Sequence, residues 1–328
     1  MLDNNPINTK GLEVYYGIDG NLLQRQYKKT LSAYESWAQK LHSEEYLLYP
    51  QNTGPYLAID ETALSNGELY TVLTNKLARG KKRSIIAMIK GTRSSDVIDI
   101  LQRIPKSLRD KVKEISLDMA ASMNQIARYC FTKAKRVTDR FHVQKLAFEA
   151  VQEIRIKHRW EAIDQENQLY QQAKQQNKKF TPRVFSNGDT PKQLLARSRY
   201  LLFKTPNKWT ESQEIRAHIL FSEYPDIKQA YQLSVKLSTI YNQKITKSIA
   251  LTKMAHWFKD VDIAGFKSFA VIKRTFEQHY DSILNYFDNR SSNAYAESFN
   301  SKIKEFRRSF RGVRDIKFFL FRLTNIFA

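Results

Sequence analysis

The stretch YLAIDETALSNGELYTVLTNKLARGKKRSIIAMI, residues 56–89, decides the fold. Its three runs of apolar and β-forming residues, 56–60, 68–75 and 84–89, are separated by turn residues and by the basic connection 79–83. Short β-forming runs joined by such connections are typical of neighbouring antiparallel strands. This part of the chain therefore predicts a three-stranded meander.

Helices and strands alternate after the meander. Helical spacing of apolar residues marks 94–101 and 121–134, and short apolar runs mark 112–117 and 136–138 as strands. The resulting order is β-β-β-α-β-α-β, which indicates an α/β fold with a mixed sheet. We expect a ribonuclease-H-like core.

Helical segments flank and interrupt this core. Apolar residues recur at helical spacing over 21–48, and almost no strand signal is present from 141 to 287. Helical patterns return over 294–311 and 315–326. We therefore expect four segments: an N-terminal helical segment, 1–54; the first part of the core, 55–142; a large all-helical insertion, 143–288; and C-terminal core helices, 289–328.

The composition narrows the function classes. The 328 residues include 54 Lys and Arg against 33 Asp and Glu, a net charge of +21 that favours a polyanionic partner such as nucleic acid. The single cysteine, Cys130, excludes a disulfide framework and a multi-cysteine zinc site. No apolar run reaches the length of a membrane span, and the first residues do not resemble a secretion signal. We expect a cytoplasmic protein that does not bind membranes.

Three acids stand where metal chemistry would need them. Asp60 ends the first predicted strand, Asp118 ends the fourth, and Glu297 lies on a late helix. In the expected sheet those two strands are neighbours, and carboxylate oxygens are the ligands with which Mg²⁺ pairs act on phosphodiesters. Taken singly, each acid also fits a turn, a cap or a solvated helix position, so both interpretations stay open at this point.

Two further patterns concern the site. Asp139 is followed by Arg140 and His142, which fits either an ion pair beside a buried histidine or a fourth acid near the reacting strand. On the last predicted helices, Glu297, Asn300, Lys304 and Arg308 share one side, apart from the apolar side that includes Phe299, Ile303, Phe306, Phe310 and Val313. The predicted DNA contacts are Lys81, Lys82, Arg83, Arg140, Asn300, Lys304, Arg307, Arg308 and Arg311.

Four strings carry a family resemblance. YLAIDETAL, ISLDMAASM, VTDRFHVQK and SSNAYAESFNSKIKEFRRSFRGVRDIKFFLFRL resemble DDE transposases of bacterial insertion sequences, above all the ISL-three family with its Asp-Arg-Phe-His motif. The resemblance implies metal-dependent cleavage at the ends of a mobile element, followed by attack of the freed 3′-OH on target DNA. It implies that Asp60, Asp118 and Glu297 bind two Mg²⁺ or Mn²⁺ ions, with Asp139 as an additional acid. Glu61 is not assigned to the metals.

The resemblance also sets expectations about partners. Double-stranded DNA, both element ends and target, is the expected substrate in the bacterial nucleoid, and the joining of two ends favours a homodimer. Family members often carry a zinc segment and a helix-turn-helix before the catalytic domain, whereas the residues before Tyr56 contain no cysteine. We expect a companion DNA-binding protein, or the insertion and the basic C-terminal helices, to recognise the ends. A structure-specific nuclease or resolvase, and a non-catalytic nucleic-acid-binding protein, are the alternatives.

Overall fold

The chain divides into two units. The computed structural model describes residues 1–64, 67–291, 293–310 and 315–328. The first unit combines Met1–Asp139 with Asn289–Ala328, and the second is Arg140–Asp288. The first unit therefore takes its last two helices from the end of the chain.

A mixed sheet forms the centre of the first unit. Within the described residues, six strands pair in the order β1-β4-β3-β2-β5-β6. The pairs β1–β4, β4–β3 and β3–β2 are antiparallel, whereas β2–β5 and β5–β6 are parallel. The strands are β1, Tyr46–Leu48; β2, Tyr56–Ala63; β3, Leu69–Asn75; β4, Ile85–Lys90; β5, Glu114–Leu117; and β6, Lys135–Thr138.

The sheet has two differently covered faces. Leu57 and Ile59 of β2 belong to a core with residues of helices α3 and α5, including Val97 and Ile126. Because side chains alternate along a strand, Ala58 and Asp60 face the opposite side. That opposite side is covered by helices α14 and α15. The helices of this unit are α1, Thr9–Tyr16; α2, Gly20–Gln26; α3, Ser94–Leu101; α4, Lys106–Arg109; α5, Ala121–Cys130; α14, Ala294–Ser309; and α15, Ile316–Phe327.

The face under α14 and α15 is aromatic and aliphatic. Phe299, Ile303 and Phe306 of α14 pack with Val72 of β3 and Met88 of β4. These three α14 residues have the helical spacing that the sequence predicts for an apolar side. Phe310 packs partly against the same core, whereas Val313 lies outside the described residues.

The N-terminal region differs from the expected single helix over 21–48. Helix α2 is followed by one π turn, Tyr27–Leu31, and the chain then turns until β1 pairs with β4. The reason is long-range packing. Tyr34 and Trp37 form edge-to-face contacts with Phe318 and Phe321 of α15, at ring-centroid distances of 5.2–5.5 Å. Partners so distant in sequence override the local helical spacing.

The second unit is helical. In residues 140–288, all of them described, the regular elements are α-helices and short 3-10 turns, and buried residues include Trp257, Leu220 and Ile227. The indole N–H of Trp257 donates to the carbonyl of Leu233 at 2.9 Å. The helices are α6, Arg140–Gln175; α7, Pro191–Arg197; α8, Glu211–Glu223; α9, Pro225–Asn242; α10, Lys247–Ala264; α11, Lys267–Gln278; α12, Tyr280–Leu284; and α13, Tyr286–Asn289.

None of the described helices combines the length and the apolar character that a membrane span requires.

Candidate active site

Three aspartates occupy equivalent positions on three neighbouring strands. Strands β2 and β5 pair in parallel with Ala58 opposite Ser116, and Asp60 and Asp118 stand two residues further along. Leu117 of β5 lies opposite Thr138 of β6, and the N–H of the following Asp139 donates to the Leu117 carbonyl at 2.9 Å. Asp60, Asp118 and Asp139 therefore stand side by side across the sheet.

Asp60 does not end its strand as the sequence predicts. Strand β2 continues to Ala63 because Glu61, Thr62 and Ala63 keep pairing with β3. Ala58 is nevertheless the last residue of β2 that pairs with β5, and β5 itself ends at Leu117. Asp60 thus lies where β2 separates from its parallel neighbour, which leaves its side chain half-buried rather than enclosed.

Helix α14 brings a fourth carboxylate to the same place. Glu297 lies in the first turn of this helix, where its N–H donates to the Asn293 carbonyl at 2.9 Å. The N–H of the buried Asn293 donates to Oδ1 of Asp139 at 3.2 Å. Carboxylate oxygens of Asp139 and Glu297 lie within 4.8 Å of each other, and among the described residues neither Asp60 nor Asp118 joins this close pair. We call Asp60, Asp118, Asp139 and Glu297 the acid edge.

Hydrogen bonds hold two of these carboxylates in fixed orientations. Asn300, one turn after Glu297, donates from Nδ2 to Oδ2 of Asp60 at 2.7 Å, and the N–H of Glu61 donates to Oδ1 at 2.8 Å. Oδ1 of Asp118 accepts the Ala120 N–H at 2.8 Å. A carboxylate oxygen has two lone pairs, so one hydrogen bond does not exhaust its capacity to accept.

The environment of Asn300 differs from the DNA contact that the sequence predicts. The residue is 7% exposed, and its amide is bound to Asp60. Sequence spacing puts Asn300 on the same side as Glu297, but it does not show that this side turns toward β2 within one turn. The hydrogen bond assigns Asn300 to the orientation of Asp60.

Negative charge accumulates at the acid edge. Burial, together with the neighbouring carboxylates of Asp118 and Asp60, raises the pKa of Glu61 above its ordinary value. Like charges at short range disfavour ionisation of an added carboxyl group. The carboxylates of Asp118 and Asp60 that contribute to this shift also attract cations.

The donor set of the acid edge fits a divalent cation. Its side chains offer carboxylate oxygens, which are the ligands that Mg²⁺ and Mn²⁺ prefer. The one cysteine of the chain, Cys130, is buried in the core on the other face of the sheet. The residues present therefore suit a hard ion and not a thiolate-bound one.

Lys76 is a functional candidate that sequence reasoning missed. In the sequence it is only one cation of a basic cluster, but its side chain is 9% exposed and its ammonium lies 3.3 Å from Oε1 of Glu114. The ammonium also donates to Ser116 Oγ at 2.7 Å. The available signal is Glu114 itself, a charged residue that begins the apolar strand EISL.

The predicted DNA contacts fall into two groups. Lys304, Arg308, Lys81 and Arg83 are exposed, the first two on α14 and the others on the connection between β3 and β4. Lys82 is exposed as well, although its ammonium donates to the Asn325 carbonyl at 2.9 Å. These cations can reach a ligand.

The second group is engaged in the fold. Arg307 donates to the Leu64 carbonyl at the end of β2. Arg140 donates to Oδ1 of Asn242 at 3.1 Å and to the hydroxyl of Tyr286 at 3.2 Å within the helical unit. His142 is a half-buried residue in the first turn of α6, and Arg311 lies outside the described residues.

A mixed sheet with carboxylates gathered at one edge, in a chain of net charge +21, is typical of enzymes that act on nucleic-acid phosphates. A family model described as a transposase, that of the ISL-three DDE transposases, matches residues 57–323. The chain therefore belongs to the ISL-three family of DDE transposases. These transposases of insertion sequences act on DNA and use divalent metal ions. Neither the curated proteins nor the solved structures gave a match.

Proposed function

We propose that this protein cleaves DNA at the ends of an insertion sequence and joins the freed 3′-OH to target DNA. The observation that carries the proposal is the acid edge, because three adjacent strands and one helix deliver acids to a single side of the sheet. The sheet order, with three antiparallel strands followed by two parallel ones, supports a ribonuclease-H-like core. On this proposal residues 140–288 are an insertion between the strands and the last acid.

Asp60, Asp118 and Glu297 are the proposed ligands of two Mg²⁺ or Mn²⁺ ions, with Asp139 as the additional acid. Such ions, when bound, lower the barrier by stabilising charge on the attacking and leaving oxygens of a phosphodiester. Asn300 holds the Asp60 carboxylate in one orientation. Asn293 binds Asp139 through its N–H and begins the helix that carries Glu297. The chain itself thus presets the spacing of the acids.

Exposed cations would hold the DNA. Lys304 and Arg308 follow Glu297 along α14, at intervals of seven and eleven residues, so they lie on the side of the helix that begins at the acid. Lys81 and Arg83 extend from the connection before β4. These positions support contacts to phosphates, which fix a duplex without reading its sequence.

We also propose that the active form is a homodimer, because the reaction brings two element ends together. Recognition of the end sequence is assigned either to a companion DNA-binding protein or to the helical insertion and the basic C-terminal helices. A footprint of the purified protein alone on an element end separates these two. Protection of a specific sequence would remove the need for a companion.

The experiment that tests the function compares Glu297→Gln with Glu305→Gln. Both residues are exposed acids of α14, but Glu305 is not part of the acid edge. We expect Glu297→Gln to lower metal-dependent cleavage of element ends by at least about a thousandfold, while DNA binding is kept and Glu305→Gln cleaves like the wild type. Cleavage that survives Glu297→Gln contradicts the assignment.

Assays of strand joining on the same DNA substrates distinguish a transposase from a nuclease. A transposase joins the cleaved 3′ end to a second DNA molecule, and a resolvase-like nuclease releases the cleaved product without joining. We expect joined products that depend on Asp60, Asp118 and Glu297. Cleavage without any joined product would replace the proposal by a nuclease.

A further inference from the structure

Lys76 is a buried cation beneath the acid edge. It begins the 3-10 turn after β3, and its ammonium meets Glu114 Oε1 at 3.3 Å and Ser116 Oγ at 2.7 Å, both on β5. Glu114 is 3% exposed. Ser116 is two residues before Asp118 on the same face, so the lysine sits below one of the proposed metal ligands.

The third hydrogen-bond partner of Lys76 lies close in sequence to a different proposed metal ligand, Glu297. The ammonium also donates to Oγ of Ser291, in the short connection that precedes α14. Arg290, directly before Ser291, adopts the left-handed conformation with φ of 52°. Two residues after Ser291, the Asn293 N–H donates to Asp139, and the Asn293 carbonyl accepts the N–H of Glu297.

A buried lysine carries a desolvation cost that its partners have to offset. Burial lowers the pKa of Lys76, while the nearby carboxylates of Glu114 and Asp139 act in the opposite direction. An apolar side chain of similar size would avoid the desolvation. A cation here has one geometric effect that an apolar side chain lacks, because it ties β5 to the connection before α14.

We propose that Lys76 is a positioning residue: by holding Ser291 against β5, it fixes the point where α14 begins and therefore where Glu297 meets Asp139. This inference rests on the proposed function, because it concerns the same acid edge. In this role Lys76 acts through the acids and not on substrate or metal directly. Its effect is on how well the acids are arranged before a metal arrives.

The test measures binding of Mn²⁺ to the full-length protein by electron paramagnetic resonance, without DNA. We expect Lys76→Met to weaken Mn²⁺ binding by about tenfold, because the point where α14 begins is no longer held and the loss of supports around metal ligands costs roughly 10–100-fold in affinity. Lys76→Arg keeps a cation that can donate to Ser291 and should recover much of the affinity. Ser291→Ala leaves the pair of Lys76 and Glu114 intact and should weaken binding in the same direction, by less.

Lys90→Met is the matched control. Lys90 also pairs with a glutamate in this unit, Glu68, at 2.9 Å, but its side chain is 47% exposed. Its replacement should leave both stability and Mn²⁺ affinity near the wild-type values. If Lys76→Met does not fold, because Glu114 is left buried and unpaired, Ser291→Ala decides the question.

The outcomes separate this inference from the function on which it rests. Weaker Mn²⁺ binding in Lys76→Met and Ser291→Ala, with recovery in Lys76→Arg, supports the positioning role. A wild type that binds Mn²⁺, together with folded variants that bind it equally well, overturns the role of Lys76 and leaves the proposed function standing. A wild type without Mn²⁺ affinity overturns both.

Discussion

Helices α14 and α15 both cover the same face of the sheet, but they use their charged residues in opposite ways. Along α14, apolar residues such as Phe299 and Phe306 pack on the sheet, and Glu297, Lys304 and Arg308 are exposed. Along α15, Phe319 and Leu323 pack toward the sheet while Phe318 and Phe321 pack on the N-terminal segment. One helix therefore has an exposed polar side, and the other is covered on two sides.

Arg322 is a charged residue of α15 that is buried because this helix is covered on two sides. It is 1% exposed, and its guanidinium donates to the carbonyls of Asn5 at 3.3 Å and Ile7 at 3.0 Å. It also lies over the ring of Tyr27, 5.3 Å from the centroid. Burial lowers the pKa of this arginine. Arg322 therefore stabilises the fold and is not available to DNA, although it belongs to the basic C-terminal helices.

The largest effect predicted from this difference between α14 and α15 is on the stability of the protein. We expect Arg322→Ala to lower the free energy of unfolding by about 3 kcal/mol, because it removes charged hydrogen bonds to two carbonyls of the N-terminal segment. Chemical denaturation measures the change. Lys317→Ala on the same helix removes an exposed pair with Glu44 and should cost less than about 1 kcal/mol.

DNA affinity of the folded Arg322→Ala protein provides the second half of that test. Because the guanidinium is enclosed, the affinity for DNA should stay near the wild-type value once the protein is folded. Weaker DNA binding at unchanged stability would show that α15 also presents its charge to DNA, and the contrast between the two helices would then be wrong.

An intermediate effect concerns the buried part of α14. We expect Asn300→Ala to lower the rate of DNA cleavage by about tenfold, because Asp60 loses the donor that orients it. Thermal unfolding should change little. Ser298→Ala, an exposed position on the same helix, is the control and should cleave normally. An Asn300→Ala protein with normal cleavage and weaker DNA binding would favour the DNA contact that the sequence predicts.

The smallest effect per residue belongs to the exposed polar side of α14. Replacement of Lys304 or Arg308 by Gln should weaken DNA binding for all sequences alike, because phosphate contacts carry no sequence information. The slope of log affinity against log salt should become shallower by about 0.9 for each phosphate that the variant no longer neutralises. Binding titrations at several salt concentrations measure this slope. An unchanged slope in both variants would mean that the DNA does not follow α14.

The sequence predicts the sheet better than its surroundings. The mixed α/β class is confirmed, since the apolar runs at 56–60 and 84–89 are local signals that coincide, to within one residue at the start, with strands β2 and β4. The helix predicted over 21–48 is wrong beyond Leu31 because Tyr34 and Trp37 find their partners on α15. No local pattern contains that information.

The same limit applies to the site. The alternation of strands and helices predicts that acids such as Asp60 and Asp118 lie at the site. It does not predict which cations are buried in the fold and which are exposed. Lys76 and Arg322 contribute to the net charge just as Lys304 does, although only the last is exposed. Which charges face solvent depends on the packing of segments more than 200 positions apart, such as Lys76 with Ser291.

The most direct test of the central claim is metal-directed cleavage of the protein chain itself. Fe²⁺ bound in place of Mg²⁺, with ascorbate and peroxide, produces radicals that cut the backbone close to the ion. The acid edge predicts cuts near Asp60, Asp118, Asp139 and Glu297 that excess Mg²⁺ suppresses and that Asp60→Asn reduces. Cuts confined to residues 143–288, or none above the metal-free background, would contradict a metal site at the acid edge.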